Sequence, residues 1–388
     1  MMITPNNIPQ GYKATPLGII PQEWEVYDFD RIIIRPKSRH LPNPQIHLRC
    51  IELEHLSQGD GSILGYIDSA EQKSMKNEFE EGDVLFGKLR PYLRKYWLAK
   101  FRGVCSTEIW VLRAISDVCT KEYLFDIVSS YNFVQKANVS SGSKMPRAEW
   151  DYVSKIPILT PPLAEQKKIA EVLGVWDKAI EKQSHLIEQL TLRKRGLMQQ
   201  LLTAKRRLPG FSGRWDDVEL GEVLTYEQPT PYIVRDTNYQ NGYKTPVLTA
   251  GKTFILGYTN EDCGICNNIP VILFDDFTTD SRYIDFEFKV KSSAIKLLRV
   301  KGNDNLYFIY CALRGLKYVV GGHERHWISK FQYLTISLPS IEEQTAIVQV
   351  LIAADREIEL AQQKLELLRQ QKRGLMQQLL TGKKRVKY

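Results

Sequence analysis

The sequence predicts an α+β protein of two globular domains and two long helices that pair as an antiparallel coiled coil, with an internal pseudo-twofold repeat. Three observations support this fold. Ten residues, Lys194 to Thr203, recur letter for letter as Lys372 to Thr381. An apolar heptad pattern surrounds each copy. Outside these segments, short apolar runs alternate with turn residues, which is typical of mixed α+β domains.

The heptad pattern of each copy is continuous for more than four heptads. The apolar steps alternate between four and three residues, and no proline interrupts either run after its start. The inward positions are Ile169, Leu173, Trp176, Ile180, Gln183, Ile187, Leu190, Lys194, Leu197 and Leu201 in the first copy, and Ile347, Leu351, Ala354, Ile358, Ala361, Leu365, Leu368, Lys372, Leu375 and Leu379 in the second.

The direction of the helices follows from the segment between them. A globular segment joins Thr203 to Ile341, and the ends of a domain usually lie close together. Antiparallel helices bring these two ends side by side, and they would place the globular domains at opposite ends of a rod. Residues 165–203 would span roughly 58 Å at ~1.5 Å per residue. The alternative is two long helices that pack separately onto two cores.

The repeat divides the chain into five segments. They are an irregular lead-in over 1–22, a first globular domain over 23–160, a first helix over 161–207, a second globular domain over 208–338 and a second helix over 339–388. Trp24 and Trp215 are expected at matching places. Within the domains we predict strands at 84–86, 109–112, 271–274 and 295–300, and helices at 123–135 and 306–313.

Composition narrows the class of protein. The chain has 388 residues, 43% of them hydrophobic, and a formal net charge of +8. No run approaches eighteen apolar residues, so we expect no spanning helix and no membrane partner. The first residues lack the pattern of a signal peptide, and the six cysteines are scattered, so a cytoplasmic protein with reduced thiols is expected. The basic excess favours a polyanionic partner.

The sequence offers no convincing catalytic or metal site. Signatures of amino-methyltransferases and of ATP-dependent motors are missing, and the remaining candidates are better explained by turns and polar loops. These weak candidates are the glycine-rich loop 59–65, the isolated pair Cys263 and Cys266, the pair His323 and His326, and the acidic group Asp275, Asp276 and Asp280.

Basic and aromatic residues share loops in both domains, and such loops can contact phosphates and base edges. For any one residue, a solvated surface position is an equal alternative, but the recurrence in both domains favours binding by the loops as a class. The candidates are Lys88, Arg90, Tyr92, Arg94, Lys95, Ser143, Lys144 and Arg147 in the first domain, and Ser281, Arg282, Tyr283, His323, Arg325 and His326 in the second.

Several motifs together resemble the specificity subunit of type I restriction–modification systems over essentially the whole chain. They are the segments 161–166 and 339–344 that open the two helices, the repeated decapeptide, the segment 82–92 and the entry segment 20–24. Each motif is weak alone, and the combination is specific.

The resemblance implies a non-catalytic subunit with two target-recognition domains, each of which recognises half of a split, asymmetric site in double-stranded DNA. It implies two modification subunits that methylate adenine with S-adenosylmethionine, and restriction subunits that use ATP with Mg²⁺. This chain itself would bind no cofactor. The linker 203–209 occurs once, so an unextended spacer is expected.

The helices would also dock partner subunits through apolar residues outside the coiled-coil seam. These candidates are Leu163, Val172, Leu192, Met198 and Leu202. Two other classes stay open from the residues alone: a coiled-coil scaffold without DNA-sequence recognition, and a nuclease or methyltransferase in its own right.

Overall fold

The computed structural model describes residues 8–139, 145–249, 253–316 and 326–387. The chain forms two compact units, one comprising Met1–His185 with Gln363–Tyr388 and the other Leu186–Gln362. Both boundaries fall inside the long helices. Each unit therefore contains one globular domain, the first half of one long helix and the second half of the other.

The first unit is built mainly from short strands, with helices near its end. Its strands are β1 (Tyr12–Thr15), β2 (Gly18–Pro21), β3 (Glu25–Asp28), β4 (Ile33–Ile34), β5 (Arg39–His40), β6 (Arg49–Ile51), β7 (Ile67–Asp68), β8 (Lys76–Phe79), β9 (Val84–Gly87), β10 (Tyr96–Leu98), β11 (Gly103–Cys105), β12 (Ile109–Ala114) and β13 (Pro157–Thr160). Its helices are α1 (Lys121–Ser129), α2 (Tyr131–Ala137), α3 (Trp150–Val153) and the first part of α4 (Leu163–Leu201).

Two sheets form the body of this unit. One has the order β10-β9-β12-β4, and the other has the order β5-β8-β11-β6-β7, in which β6 and β11 run parallel. Strand β9 is buried on both faces, which explains its unbroken apolar sequence. Phe86 packs into the core shared with the helices, and Leu85 packs into a second core with β11 and β12.

Among its described residues, the second unit has fewer strands than the first, in a related order. Its strands are β14 (Asp216–Glu219), β15 (Leu224–Glu227), β16 (Thr245–Leu248), β17 (Ile255–Thr259), β18 (Val271–Asp275), β19 (Ser281–Ile284), β20 (Lys289–Val290), β21 (Ile295–Val300) and β22 (Thr335–Leu338). Its helices are α5 (Leu220–Val223), α6 (Leu306–Gly315), α7 (His326–Ser329) and the first part of α8 (Ile341–Leu379).

The central sheet of the second unit repeats that of the first. Its order, β19-β18-β21-β15, matches β10-β9-β12-β4 strand for strand. The smaller sheet β17-β16-β20 again contains one parallel pair. Phe274 packs into the helix-side core and Leu273 into a second core, as Phe86 and Leu85 do. The predicted internal repeat is therefore confirmed at the level of topology.

The long helices run antiparallel in both units. In the first unit, Asp177 of α4 pairs with Lys372 of α8 at 2.5 Å. In the second unit, Lys194 of α4 pairs with Asp355 of α8. A second pair in each unit, Glu165 with Arg385 in the first and Glu343 with Arg207 in the second, shows that residue numbers rise along one helix as they fall along the other, as predicted. All of the predicted seam positions are buried or half-buried, which confirms the heptad assignment.

A buried carboxylate anchors the start of α4. Glu165 is fully buried, and it accepts a hydrogen bond from Nε1 of Trp24 at 2.9 Å. The guanidinium of Arg385, beyond the end of α8, donates to both Glu165 oxygens at 2.6 and 2.9 Å. Next to it, the Gln166 amide oxygen accepts from the backbone N–H of Thr120 at 2.9 Å. The Glu-Gln pair thus joins the helix pair to the globular domain.

The second unit repeats these contacts. Glu343 accepts from Nε1 of Trp215 at 3.1 Å and from Arg207 at 2.5 and 2.6 Å. The Gln344 oxygen accepts from the backbone N–H of Asn305 at 2.8 Å. The expectation that the two tryptophans occupy matching places is confirmed.

Two predicted details are wrong. The lead-in 1–22 is not irregular throughout, because β1 and β2 pair as a hairpin within it. The single helix predicted over 123–135 is two helices. Ser130 has an extended backbone that ends α1, and its hydroxyl accepts from the N–H of Phe133 to start α2. Within the described ranges, no helix is both long and apolar enough to cross a membrane.

Candidate nucleic-acid interface

Three chain segments of the first unit meet at the carboxyl end of β9. The backbone N–H of Lys88 donates to the carbonyl of Glu108 at 3.0 Å, and the N–H of Ala148 donates to the carbonyl of Lys88 at 2.9 Å. The N–H of Arg90 donates to the carbonyl of Pro146 at 2.8 Å. These bonds hold three separate segments of backbone next to one another. We call this bonded backbone the frame, and it places the polar residues of the three segments close together.

A carboxylate lies among the cations on this frame. Glu108 accepts from Nε of Arg147 at 3.1 Å, and Nζ of Lys88 lies 4.0 Å from its other oxygen. Arg90 is exposed beside them. We call Lys88, Arg90, Glu108 and Arg147 the Lys88 cluster. It combines donors and one acceptor, as base-edge recognition requires.

The loop that follows the cluster has unusual backbone geometry. Arg90 and Arg94 have φ angles of 52° and 53°, in the left-handed region, on either side of a short turn. Non-glycine residues rarely adopt this region, and such strain concentrates at functional sites. Arg90 and Tyr92 are both exposed on this turn.

Two predicted DNA-binding cations of this loop bond inside the protein instead. One terminal nitrogen of Arg94 donates to the carbonyl of Ser129 at 2.9 Å. Nζ of Lys95 donates to the carbonyl of Leu53 at 2.5 Å, and burial lowers the pKa of the Lys95 amine. Arg94 and Lys95 therefore hold the loop against its own domain, which accounts for them without DNA.

Two exposed arginines that sequence reasoning missed belong to the same unit. The guanidinium of Arg35 stacks 4.4 Å above the ring of Trp150, and its pKa is lowered by burial and by the nearby Arg39. Arg39 bonds to the amide of Asn77, which donates to the carbonyl of Ile109 at 2.9 Å. The run of basic residues over 31–39 was the available signal.

Four predicted residues lie outside the described ranges. They are Ser143, Lys144, His323 and Arg325.

In the second unit, two of the predicted residues are buried and a third is half-buried. Ser281 and His326 belong to the interior, and the N–H of His326 donates to the carbonyl of Asp276 at 3.1 Å. Tyr283 packs in an aromatic group, 4.9 Å from Tyr307 between ring centres, and burial raises its pKa. These three side chains pack within the domain and stabilise its fold.

Arg282 is the exposed member of the second set within the described residues. Its guanidinium stacks 4.5 Å above the ring of Phe254 and lies 3.9 Å from Asp280. A guanidinium stacked in this way can contact a base or a phosphate.

The Lys88 cluster has a structural counterpart with different chemistry. The N–H of Asp276 donates to the carbonyl of Ala294 at 3.1 Å, as Lys88 does to Glu108. Asp276 thus takes the place of Lys88, and Ala294 takes the place of Glu108. The Asp276 carboxylate faces inward and accepts from the N–H of Trp327 at 2.9 Å. The same position of the backbone frame therefore carries a lysine in one unit and a buried aspartate in the other.

The weak metal candidates gain no support. Within the described ranges, no group of three or more His, Cys, Asp or Glu lies close enough to hold a metal ion. Asp275 accepts from the N–H of Phe277 at 2.9 Å and from the hydroxyl of Thr278 at 2.7 Å. This confirms a turn at the end of the strand.

The off-seam helix residues differ in exposure. Leu192 is 54% exposed, whereas Leu163 is half-buried. Val172 and Met198 are half-buried against the cores of their units. Leu202 is only 9% exposed and belongs to the second core, so its prediction as a partner contact is wrong. The globular domain covers this end of the helix, which the heptad pattern could not indicate.

The family model described as "Type I restriction modification DNA specificity domain" matches residues 53–192 and 213–370. The chain is 42% identical to the specificity subunit of the type I restriction enzyme EcoR124I/EcoR124II from Escherichia coli, over 40% of this chain and 41% of that one. The match thus spans about two fifths of that relative's length.

A second relative is similar over nearly its whole length. The putative type I restriction enzyme MjaX specificity subunit from Methanocaldococcus jannaschii is 26% identical over 97% of both chains.

Two solved structures share the fold. The type I restriction–modification S subunit from M. genitalium superposes with a TM-score of 0.57 at 15% identity, over 92% of this chain and 96% of that one. A chain from a study of complex assembly and conformational transition of the type I system gives 0.55 at 19% identity, over 94% and 99%. With one family match in each half, together covering most of the sequence, the chain belongs to the family of type I restriction–modification DNA specificity domains.

Proposed function

We propose that this chain is the non-catalytic subunit that determines the DNA sequence specificity of a type I restriction–modification complex. Each globular domain would recognise one half of a bipartite, asymmetric site in double-stranded DNA. The observation that carries this proposal is the pair of matched frames with different side chains, Lys88 opposite Glu108 in one unit and Asp276 with Ala294 in the other.

The Lys88 cluster is suited to base edges. A guanidinium can donate two bonds to the O6 and N7 atoms of guanine, and a carboxylate can accept from the amino group of cytosine. Arg147 and Glu108 supply both kinds of group within 3.1 Å of each other. A surface for phosphate alone would gain nothing from Glu108, because a carboxylate repels phosphate.

Asymmetry of the target follows from the second unit. There the exposed cation is Arg282, stacked on Phe254, and the position that matches Lys88 is a buried aspartate. Two domains with one fold and different polar groups would select different bases in the two halves of the site.

The helices would fix the gap between the two half-sites and dock the partner subunits. Each helix has 39 residues, or roughly 58 Å, and this length corresponds to about 17 base pairs at ~3.4 Å each. Exposed apolar side chains outside the seam offer docking contacts: Val175, Leu186, Leu192, Ile352, Leu360 and Leu367.

The partners would carry the chemistry. Two modification subunits would methylate adenine with S-adenosylmethionine, and restriction subunits would use ATP with Mg²⁺, while this chain binds neither cofactor.

Methylome sequencing tests the proposal. The chain and its cognate modification subunits are expressed together in a host that lacks adenine methylation. We expect methyladenine in a two-part, asymmetric motif with a fixed gap, and none when the modification subunits are expressed alone. A single contiguous motif would contradict the bipartite arrangement. A complex that assembles without sequence-dependent DNA binding would instead support the scaffold alternative.

A further inference from the structure

A large cavity opens in the first unit, apart from the Lys88 cluster. Its volume is about 850 Å³, and it lies among the β1–β2 hairpin, α1, α2, β13 and the last turns of α8. Its wall is largely apolar and includes Ile127, Ile156, Leu159, Met376 and Leu380. A concave site of this size with apolar walls and a few polar groups is typical of a binding pocket.

The polar groups of the cavity are strongly biased in charge. The cavity is lined by four cations and by no aspartate or glutamate. The cations are Arg94, Lys136, Arg373 and Lys383. Arg373 is paired with Glu366 at 3.0 Å. Within the described ranges, Lys136 and Lys383 form no ion pair, and Nε of Arg94 has no hydrogen-bond partner. A concave wall focuses this positive potential.

Large apolar side chains are exposed at the edge of the cavity. Leu17 is 42% exposed, Ile19 37% and Tyr131 64%, and all three line it. Gly374 also lines the cavity, and a Cβ atom added there would meet nothing within 4 Å. Contiguous apolar exposure of this kind marks a surface for another protein, and the glycine lets a backbone approach closely.

No aspartate or glutamate of the described residues lines the cavity. Residues 1–7, 140–144 and 388 contain no aspartate or glutamate. Carboxylates of another molecule would complement these cations. DNA would satisfy the cations and leave the apolar wall uncovered, whereas a polypeptide with apolar and acidic side chains would satisfy both.

We propose that this cavity receives a short segment of the modification subunit that carries apolar side chains beside aspartate or glutamate. The proposal rests on the proposed function and specifies where and by what chemistry one partner docks. The apolar residues of that segment would cover the cavity wall near Met376, and the carboxylates of the segment would pair with Lys136 and Lys383.

The test measures binding of the full chain to the full-length modification subunit by calorimetry, without DNA. Lys136→Glu combined with Lys383→Glu should weaken binding about ten-fold or more, because like charges would face each other. Lys73→Glu combined with Lys100→Glu makes the same charge change at exposed positions outside the cavity, and it should leave binding within about two-fold. Equal affinities for the two pairs would overturn the proposal.

A photo-crosslinking residue in place of Tyr131 provides a second readout. The crosslinked peptide should come from the modification subunit and contain both apolar and acidic residues. A crosslink to a basic peptide or to another part of this chain would overturn the docking proposal. If the wild-type complex methylates a two-part motif while the cavity variants bind normally, only the docking proposal fails. If the wild-type chain does not bind the modification subunit, the proposed function fails too.

Discussion

At the scale of single residues, two buried glutamates anchor the starts of the long helices to the globular domains. Glu165 is fully buried, yet its charge is matched by two bonds from Arg385 and one from Trp24. A buried carboxylate without such partners would cost several kcal/mol. The acid, the arginine and the tryptophan are far apart in sequence but bond to one another. A change of any one of them would therefore leave a bonding group of the others without its partner.

Removing the arginine tests this anchor. Arg385→Ala leaves the Glu165 carboxylate buried without its cation, and we expect the first unit to lose about 3 kcal/mol of unfolding free energy. The measurement is urea denaturation of the chain, followed by the fluorescence of its tryptophans. Arg356→Ala is the matched control, because its pair with Glu359 is exposed on both sides and should contribute less than about 0.5 kcal/mol. Similar losses for both variants would contradict the anchor.

A buried carboxyl beneath the helix pair predicts a pH dependence. Asp126 is buried, and burial raises its pKa well above the usual value, while Lys372 opposes the shift and Asp177 and Glu122 add to it. The folded state therefore holds this proton at pH values where the unfolded chain has released it. Stability should fall as pH rises from about 4 through the raised pKa.

Asp126→Asn removes this titration. The variant should lose that decline in stability with pH, and at the upper end of the range it should be at least as stable as the wild type. Urea midpoints at a series of pH values measure the effect. A parallel pH dependence of the two proteins would assign the decline to other groups.

We expect the loss of Arg147 to weaken DNA binding and to reduce its sequence specificity. Arg147→Ala should cost about 1–3 kcal/mol in binding of the specific site and relax specificity at positions in one half-site only. The measurement is competition binding by the assembled complex with single-base variants of its motif. Arg102→Ala removes an exposed cation that pairs with Glu80 and serves as the control. Equal weakening for every DNA sequence would show that Arg147 contacts phosphate.

At the scale of elements, each long helix contains a glycine at a position where the free chain has room for a larger side chain. A Cβ added at Gly196 or Gly374 would meet nothing within 4 Å. Each Gly→Ala change should therefore stabilise the free chain by about 1 kcal/mol. Gly382→Ala is the contrasting case, because its φ is +69° and the new Cβ would lie 2.5 Å from Pro21. Urea midpoints should rise for the first two variants and fall for the third.

The helices were predictable because their signal is local and repeated. A heptad pattern gives both the element and its buried face, and the globular segment between the copies gives the direction. The burial of Leu202 was beyond such reasoning, because its core includes side chains from strands and helices more than a hundred residues away, such as Ile336.

The hairpin loops that follow β9 and β18 could not be aligned with each other from the sequence. Arg94 and Arg282 follow the matched residues Phe86 and Phe274 at the same spacing in the sequence, but the hairpins give a different register. Phe86 pairs with Tyr96, and Phe274 pairs with Ser281. The hairpin loops differ in length, so any fixed offset fails beyond the first strand. Sequence therefore predicted which loops carry polar groups, and only the structure shows which side chains face outward.

At the scale of the whole molecule, duplication lets the two units differ without disturbing their frame. The contacts that join helix to domain are the same in both units, through Glu165 with Trp24 and through Glu343 with Trp215. The polar groups at the ends of the matched strands are free to differ. One domain can thus change its target while the other keeps its own.

Domain exchange tests this modularity. Residues 23–160 are replaced by the equivalent domain of another family member that retains a tryptophan to pair with Glu165. Because the helices and the second unit are unchanged, we expect a methylated motif in which one half is new, while the other half and the gap are kept. Replacement of 208–338 should give the reciprocal result. A change in both halves after either exchange would mean that the two units recognise DNA jointly, and the matched frames would then carry a shared rather than a divided specificity.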